Sequence, residues 1–314
     1  MTDQSRDVLP LPGAAHGPRV GPGAGWRGRI ARQPTTKAYV LLSPTLMLLI
    51  GVMCVPVGML IAYSFWTQNY LEIDTTFTLA NYVSVLSKKI YPIILGRSIV
   101  ISLSVTVATI VMAYPIAYFI AFRVRRHKMI WLILITVPFW TSYLLRVFAW
   151  KVILGYNGVI NSALIWLGVI DAPLEFLLYN PIAVVITLAH AWAPVAILPI
   201  FVSLEKIDRS LLEAATDLGD TPFERFFRVT LPLTVPGIVA AFLLVFIPTV
   251  GDYVTPQLVG GPDGMMIGNL MYTLFFRVNN WPMGSALSII TIITITAVGF
   301  TIWRLTRRAR GKAQ

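Results

Sequence analysis

Arg146, Lys151 and Asp252 are ionisable side chains set within stretches that are otherwise apolar. A charge inside a bilayer is costly, so such residues mark paths for ions or polar solutes unless they snorkel to the surface. At about 100° per residue, Phe139, Tyr143, Arg146 and Trp150 share one stripe of a helix, with Trp140, Val147 and Lys151 beside it. Asp252-Tyr253 closes a later apolar stretch. Counted from Met129 and Pro232, Arg146 and Asp252 lie about 26 Å and about 30 Å along their helices, at 1.5 Å per residue. Both then sit near one membrane face, and an Arg146–Asp252 contact is predicted, as an ion pair or as part of an outer gate. The plainer readings are an interfacial aromatic belt, outward-snorkelling basic side chains and an Asp that only caps local backbone. Aromatic faces and a carboxylate suit an organic cation; the two basic residues oppose one. His190, in "LAHAWAP", reads as a hydrogen-bonded packing residue, and Met265 and Met266 as plain packing.

Covalent chemistry has no candidates. There is no Cys/His metal spacing, and the spans hold no paired acids or Ser/His set. The P-loop pattern G-x-x-x-x-G-K-[ST] is missing, and no non-membrane stretch has the size of an ATPase domain. No catalytic residue, metal or cofactor is assigned to this chain, which reads as a non-enzyme.

The elements that must position these residues follow from composition. Of 314 residues, 56% are hydrophobic and 12% charged, more apolar than a soluble core requires. Helices of about 20 apolar residues cross a bilayer. Six such spans are predicted: Ala38–Trp66, Ile93–Phe122, Met129–Leu154, Pro181–Leu204, Pro232–Asp252 and Pro282–Leu305. The fold class is an all-α membrane protein. Pro44, Pro56, Pro115, Pro138 and Pro194 predict kinks. Residues 1–37 read as a flexible basic tail without a signal-peptide core, and 306–314 as a short basic tail. The lone Cys54 forms no internal disulfide.

Net charge is +11, which in a soluble protein would suggest nucleic acid. Here most basic residues fall at 1–37, in the loop Arg123–Lys128, in the loop after Leu204 and beyond Leu305, all on one side of a six-span chain. The positive-inside rule explains that bias and puts both termini in the cytoplasm, with no call for nucleic acid.

The loop 204–231 contains "SLLEAATDLGDTPFERFFRVTL", followed by Pro232. Ser210 and Glu213 have capping-box spacing, Gly219 stands where a helix would stop, and Thr221-Pro222-Phe223-Glu224 is a second cap. Two short helices hinged at Gly219 are predicted, the second ending near Val229. Leu211, Ala214, Ala215 and Leu218 mark one face, and Phe223, Phe226 and Phe227 another. Either a partner's groove covers these faces, or they lie on lipid headgroups.

Glu213-Ala214-Ala215, three residues, Gly219, nine residues, Val229, one residue, then Leu231-Pro232 resembles the EAA loop of ABC-importer permeases, with Val229 in place of Ile. "PFWTSYLLRVFAWKVIL", "WLGVIDAPL", "GDYVTPQLVGGPDGMMIGNL" and "NWPMGSALS" resemble the spermidine/putrescine-type permeases of that superfamily, so the likeness covers most of 38–305. The resemblance implies the transmembrane domain of a type I importer in the bacterial inner membrane. It implies ATPase subunits, which hold the ATP and Mg, gripping the loop. It also implies a second homologous permease, an extracytoplasmic solute-binding protein and a polyamine cargo. A permease for an anion or amino-acid derivative, or a secondary carrier, is the alternative.

Overall fold

A computed structural model of the chain describes residues 34–70 and 72–311. The predicted basic tail lies outside the described residues as far as position 33. The chain divides into two compact units, with the boundary after Gly58. The boundary falls inside α1 (Pro34–Ser64), a helix apolar all round, as a bilayer span requires.

The second unit continues with β1 (Thr67–Asn69) and β2 (Glu72–Asp74), α2 (Ala80–Ser87) and α3 (Ile90–Tyr118). After them come α4 (Lys128–Thr136), α5 (Tyr143–Leu154), α6 (Val159–Trp166) and α7 (Pro181–Glu205). The chain then forms α8 (Arg209–Asp217), α9 (Pro222–Arg225), α10 (Leu231–Val250), α11 (Ile267–Tyr272) and α12 (Trp281–Gly311). Among the described residues five helices are long and apolar enough to cross a membrane, or six when α4 through α6 count as one broken span. The predicted C-terminal tail is helical as far as Gly311. An all-α chain has one local exception: β1 and β2 pair antiparallel, Thr67 opposite Asp74.

The core is the packing of α3, α7 and α10 on one another. Val105, Ala113 and Ala117 from α3 meet Leu188, Ala196 and Ile200 from α7 and Ala241 and Val245 from α10. Small residues let the backbones approach, since lipid supplies no hydrophobic drive between helices. Buried hydroxyls bond within the core: Thr106 and Thr109 donate to the carbonyls one turn back, at 2.6 and 2.7 Å, and Tyr114 pairs with Thr234 at 2.9 Å. Gly237 of α10 sits so close to α7 that a Cβ there would lie 2.4 Å from the Pro199 carbonyl oxygen and 2.5 Å from Ser203 Oγ. Backbone cannot yield as a side-chain tip can. Gly237→Ala should therefore cost about 1–3 kcal/mol, read as a lower melting midpoint in detergent, and Gly237→Leu should leave no folded protein.

The predicted third span departs most from expectation. It is broken: Lys128–Trp140 and Tyr143–Trp166 meet at 84°. Pro138 lies in a short 3-10 turn, Val137–Trp140, and Ser142 is extended before α5 begins. A proline with two hydroxyl residues after it ends the helix outright, because Pro removes a donor and Thr141 returns its N–H to the Pro138 carbonyl. Counting along one straight helix therefore does not give the depth of Arg146.

Candidate functional site

The break in the third span turns α5 so that Tyr143 and Arg146 face α7 and the chain beyond α10. A cavity of about 380 Å³ forms there, lined by Phe139, Tyr143, Arg146, Trp192, Asp252 and Tyr253. The Tyr143 hydroxyl lies 2.5 Å from Asp252 Oδ2, to which it donates, and 2.6 Å from Thr255 Oγ1. Asp252 Oδ1 accepts the Val254 N–H at 2.9 Å, so its capping role is present as well. Arg146 donates to the Ala191 carbonyl at 3.2 Å. Its guanidinium carbon stands 5.0 Å from the Phe139 ring centre and 5.8 Å from that of Tyr143.

Arg146 and Asp252 thus share a cavity but form no ion pair among the described residues. The predicted pair is corrected: Tyr143 touches both, its hydroxyl on the carboxylate and its ring under the cation. A carboxylate held by one phenol and one amide N–H keeps lone pairs free toward the cavity. Arg146 is committed elsewhere, except for its buried Nε, which has no partner. Trp140 is 88% exposed and does not line the cavity. Trp150 also lies apart, donating its indole N–H to His190 Nδ1 at 3.2 Å. His190 is exposed rather than packed, and of the two methionines only Met266 is buried. Sequence reasoning missed Trp192 and Thr255. The signal for Trp192 was available, an indole two residues from His190 in an otherwise apolar span.

The loop after α7 is built as two capped helices, with two differences from expectation. Asp208, not Ser210, is the N-cap of α8: its carboxylate accepts the Ser210 N–H at 3.0 Å, and the Ser210–Glu213 box is not formed. Asp208 is extended, with a side chain short enough to reach back to the first turn, so the helix starts before Ser210 can cap it. The bonds from Ser210 hold the Asp208 carboxyl below the usual carboxylate range. The cap is thus intact at neutral pH and lost only as pH falls through that lowered pKa. At the other end Gly219 has φ 90°, its N–H bonds to Thr216 at 2.9 Å, and Asp220 N–H bonds to Ala215 at 3.0 Å. That pair is a Schellman stop, which a side chain at this φ would strain.

Thr221 and Glu224 do form the reciprocal capping box, with Pro222 at the first helical position. Thr221→Ala should weaken this turn by about 1 kcal/mol and speed amide exchange there about fivefold; hydrogen exchange measured over residues 221–230 checks it. The second difference is that this helix does not end near Val229. It passes through a π turn, Phe226–Thr230, into α10, making one helix Pro222–Val250. Phe226 anchors it edge-on against Tyr114 of α3, ring centres 5.6 Å apart. Two large apolar residues of the loop are bare: Leu218, just past the end of α8, is 88% exposed and Phe223, on α9, is 73% exposed. Glu213 and Ala214 are exposed and Ala215 is buried, while Leu231-Pro232 opens α10.

Residues 101–311 match the family model described as "Binding-protein-dependent transport system inner membrane component". The chain belongs to this family. It is a multi-pass permease of the inner membrane. Among curated relatives, the spermidine/putrescine transport system permease protein PotB of Escherichia coli (strain K12) is 37% identical over 257 residues, covering 82% of this chain and 93% of that protein. PotB of Haemophilus influenzae is 35% identical, covering 85% of this chain and 93% of that one. Among solved structures, a chain of a bacterial alginate ABC transporter, crystallised with an alginate pentasaccharide-bound periplasmic protein, is similar in fold. It superposes with a TM-score of 0.69 at 16% identity, covering 91% of this permease and 98% of that chain.

Proposed function

We propose that this permease is one transmembrane subunit of an ATP-driven importer for polyamines such as putrescine and spermidine, or a similar small organic cation. The loop 204–231 is its attachment to a separate ATPase, which binds ATP and Mg, while this chain holds no cofactor of its own. The observation that carries the reading is the loop: exposed apolar side chains, Leu218 and Phe223, stand on capped helices, and the second helix runs on as α10. Large apolar residues left bare beside a bilayer surface call for a groove to cover them. The basic-residue bias supports a cytoplasmic loop and cytoplasmic termini, with 1–37 and 306–314 as tails of the 38–305 transmembrane domain.

The remaining partners follow the same reading: a second permease completes the path, and an extracytoplasmic binding protein delivers cargo. The PotB relatives are named for spermidine and putrescine, which supports the cargo class. The Asp252 carboxylate, with Tyr143, Tyr253, Trp192 and Phe139 around the same cavity, suits an amine. ATP-driven closure of the motor moves the loop, the loop moves α10, and the spans exchange outward- and inward-facing states of different affinity for the solute. Arg146, also in the cavity, favours the second reading, a permease for an anion or amino-acid derivative. Uptake of labelled putrescine, glutamate and phosphate into proteoliposomes holding the assembled complex decides between them. ATP-dependent uptake of the amine alone is expected, whereas amine uptake by this chain without ATPase ends the importer reading.

A further inference from the structure

A second cavity, of about 470 Å³, opens between the end of α3 and the α8–α9 loop. Arg123 and Arg125 reach it from the foot of α3, Arg209 from the start of α8 and Arg225 from the end of α9. Among the described residues none of these four guanidiniums is in an ion pair. Arg225 donates only to the neutral Thr216 hydroxyl, at 2.6 Å, and Glu213 lines the cavity without pairing with any of them. Neighbouring basic residues are treated differently: Lys128 meets Glu205 at 2.8 Å and Arg228 meets Asp220 at 2.7 Å. Four guanidiniums lining one cavity with a single carboxylate, Glu213, leave it with an excess of positive charge, which an entering anion offsets.

The guanidinium fork matches phosphate oxygens two at a time. The cavity also has an aromatic wall, Tyr118 and Phe122, ring centres 4.8 Å apart, at the foot of an apolar span. Tyrosine at that level marks the headgroup boundary. We propose that this cavity binds the phosphodiester headgroup of an anionic lipid, which bridges the end of α3 to the α8–α9 loop. The bridge ties the loop's rest position to the membrane's lipid composition. The proposal rests on the functional reading only for the loop's place at the cytoplasmic surface, where anionic headgroups gather.

The test titrates the full chain, purified in detergent, with phosphatidylglycerol, phosphatidylethanolamine or inorganic phosphate, and counts bound lipid by native mass spectrometry. Phosphatidylglycerol should be retained about tenfold more tightly than phosphatidylethanolamine. Arg123→Gln with Arg125→Gln should remove that preference, and Arg123→Lys with Arg125→Lys should restore part of it, which separates lost charge from lost fold. Equal retention of the two lipids, or a preference that survives the Gln pair, overturns the proposal. Displacement of the lipid by millimolar inorganic phosphate overturns it in favour of a soluble anion. A Gln pair that keeps the lipid preference but drops the ATPase overturns it in favour of an acidic protein partner. ATPase attachment by the wild-type chain, read separately, tests the functional reading alone.

Discussion

Asp252→Asn should cut polyamine uptake by about tenfold to hundredfold, the worth of one charge-assisted hydrogen bond of roughly 1.5–3 kcal/mol, while the protein stays folded. Asn keeps the acceptor Oδ1 for the Val254 N–H, while its amide NH2 takes the place of Oδ2 and donates to the Tyr143 hydroxyl, which turns its own proton to Thr255 Oγ1. Size and shape are kept and both neighbours stay bonded while the negative charge is removed, so lost uptake reports on the solute and not on packing. An anionic solute gives the opposite sign, because Asn would relieve repulsion. Unchanged uptake takes the cavity off the path. The geometry makes a further demand. Reversing both charges, Arg146→Asp with Asp252→Arg, should not restore function, since Arg146 holds the Ala191 carbonyl and Tyr143 holds Asp252. Initial uptake rates with the ATPase present, beside melting midpoints, measure all of these.

Val229→Pro should separate attachment from transport. Val229 lies in the π turn Phe226–Thr230, between the bare Phe223 and the start of α10. Proline there removes a helical donor and presses on the carbonyl one turn back, at about 3 kcal/mol or more. The docking faces, Gly219 and the Thr221–Glu224 cap lie upstream of the change. The ATPase should still bind and hydrolyse ATP, while uptake falls by about tenfold or more for a lever broken at that cost. Co-purification, ATP hydrolysis and uptake on one preparation give the three readouts. Normal uptake would show that motion reaches the spans by another route, with the Phe226–Tyr114 contact the next place to look.

The loop was legible in the sequence because its signals are local. A left-handed Gly219 and the Thr221–Glu224 box depend on neighbours within a few residues, and both are found as expected. The N-cap was misplaced by two residues because Asp208 and Ser210 are equally good caps in isolation, and only the extended backbone at Asp208 selects it. The length of α10 was hidden for a different reason. Leu231-Pro232 reads as a helix start, yet a Pro in the first turn of one segment can sit within a longer helix when a π turn rearranges the preceding bonds.

The cavity was half legible. Tyr143, Arg146, Asp252 and Tyr253 stand out as polar groups in apolar spans, and they do converge. Their pairing did not follow, because the 84° break after Trp140 changes which side chains meet, and period counting assumes a straight helix. Trp150, on the stripe with Tyr143 and Arg146, and Trp140, beside it, lie outside the cavity.

The central claim is that a separate motor grips the bare face of the α8–α9 loop. Its most direct measurement uses Phe223→Cys in a Cys54→Ser background, which removes the one native thiol. The rate at which a water-soluble maleimide labels Cys at that position is compared with and without the ATPase. Labelling should slow about tenfold when the ATPase is present at ten times its dissociation constant, and should change again when ATP is added. A rate that the ATPase leaves untouched would contradict the account.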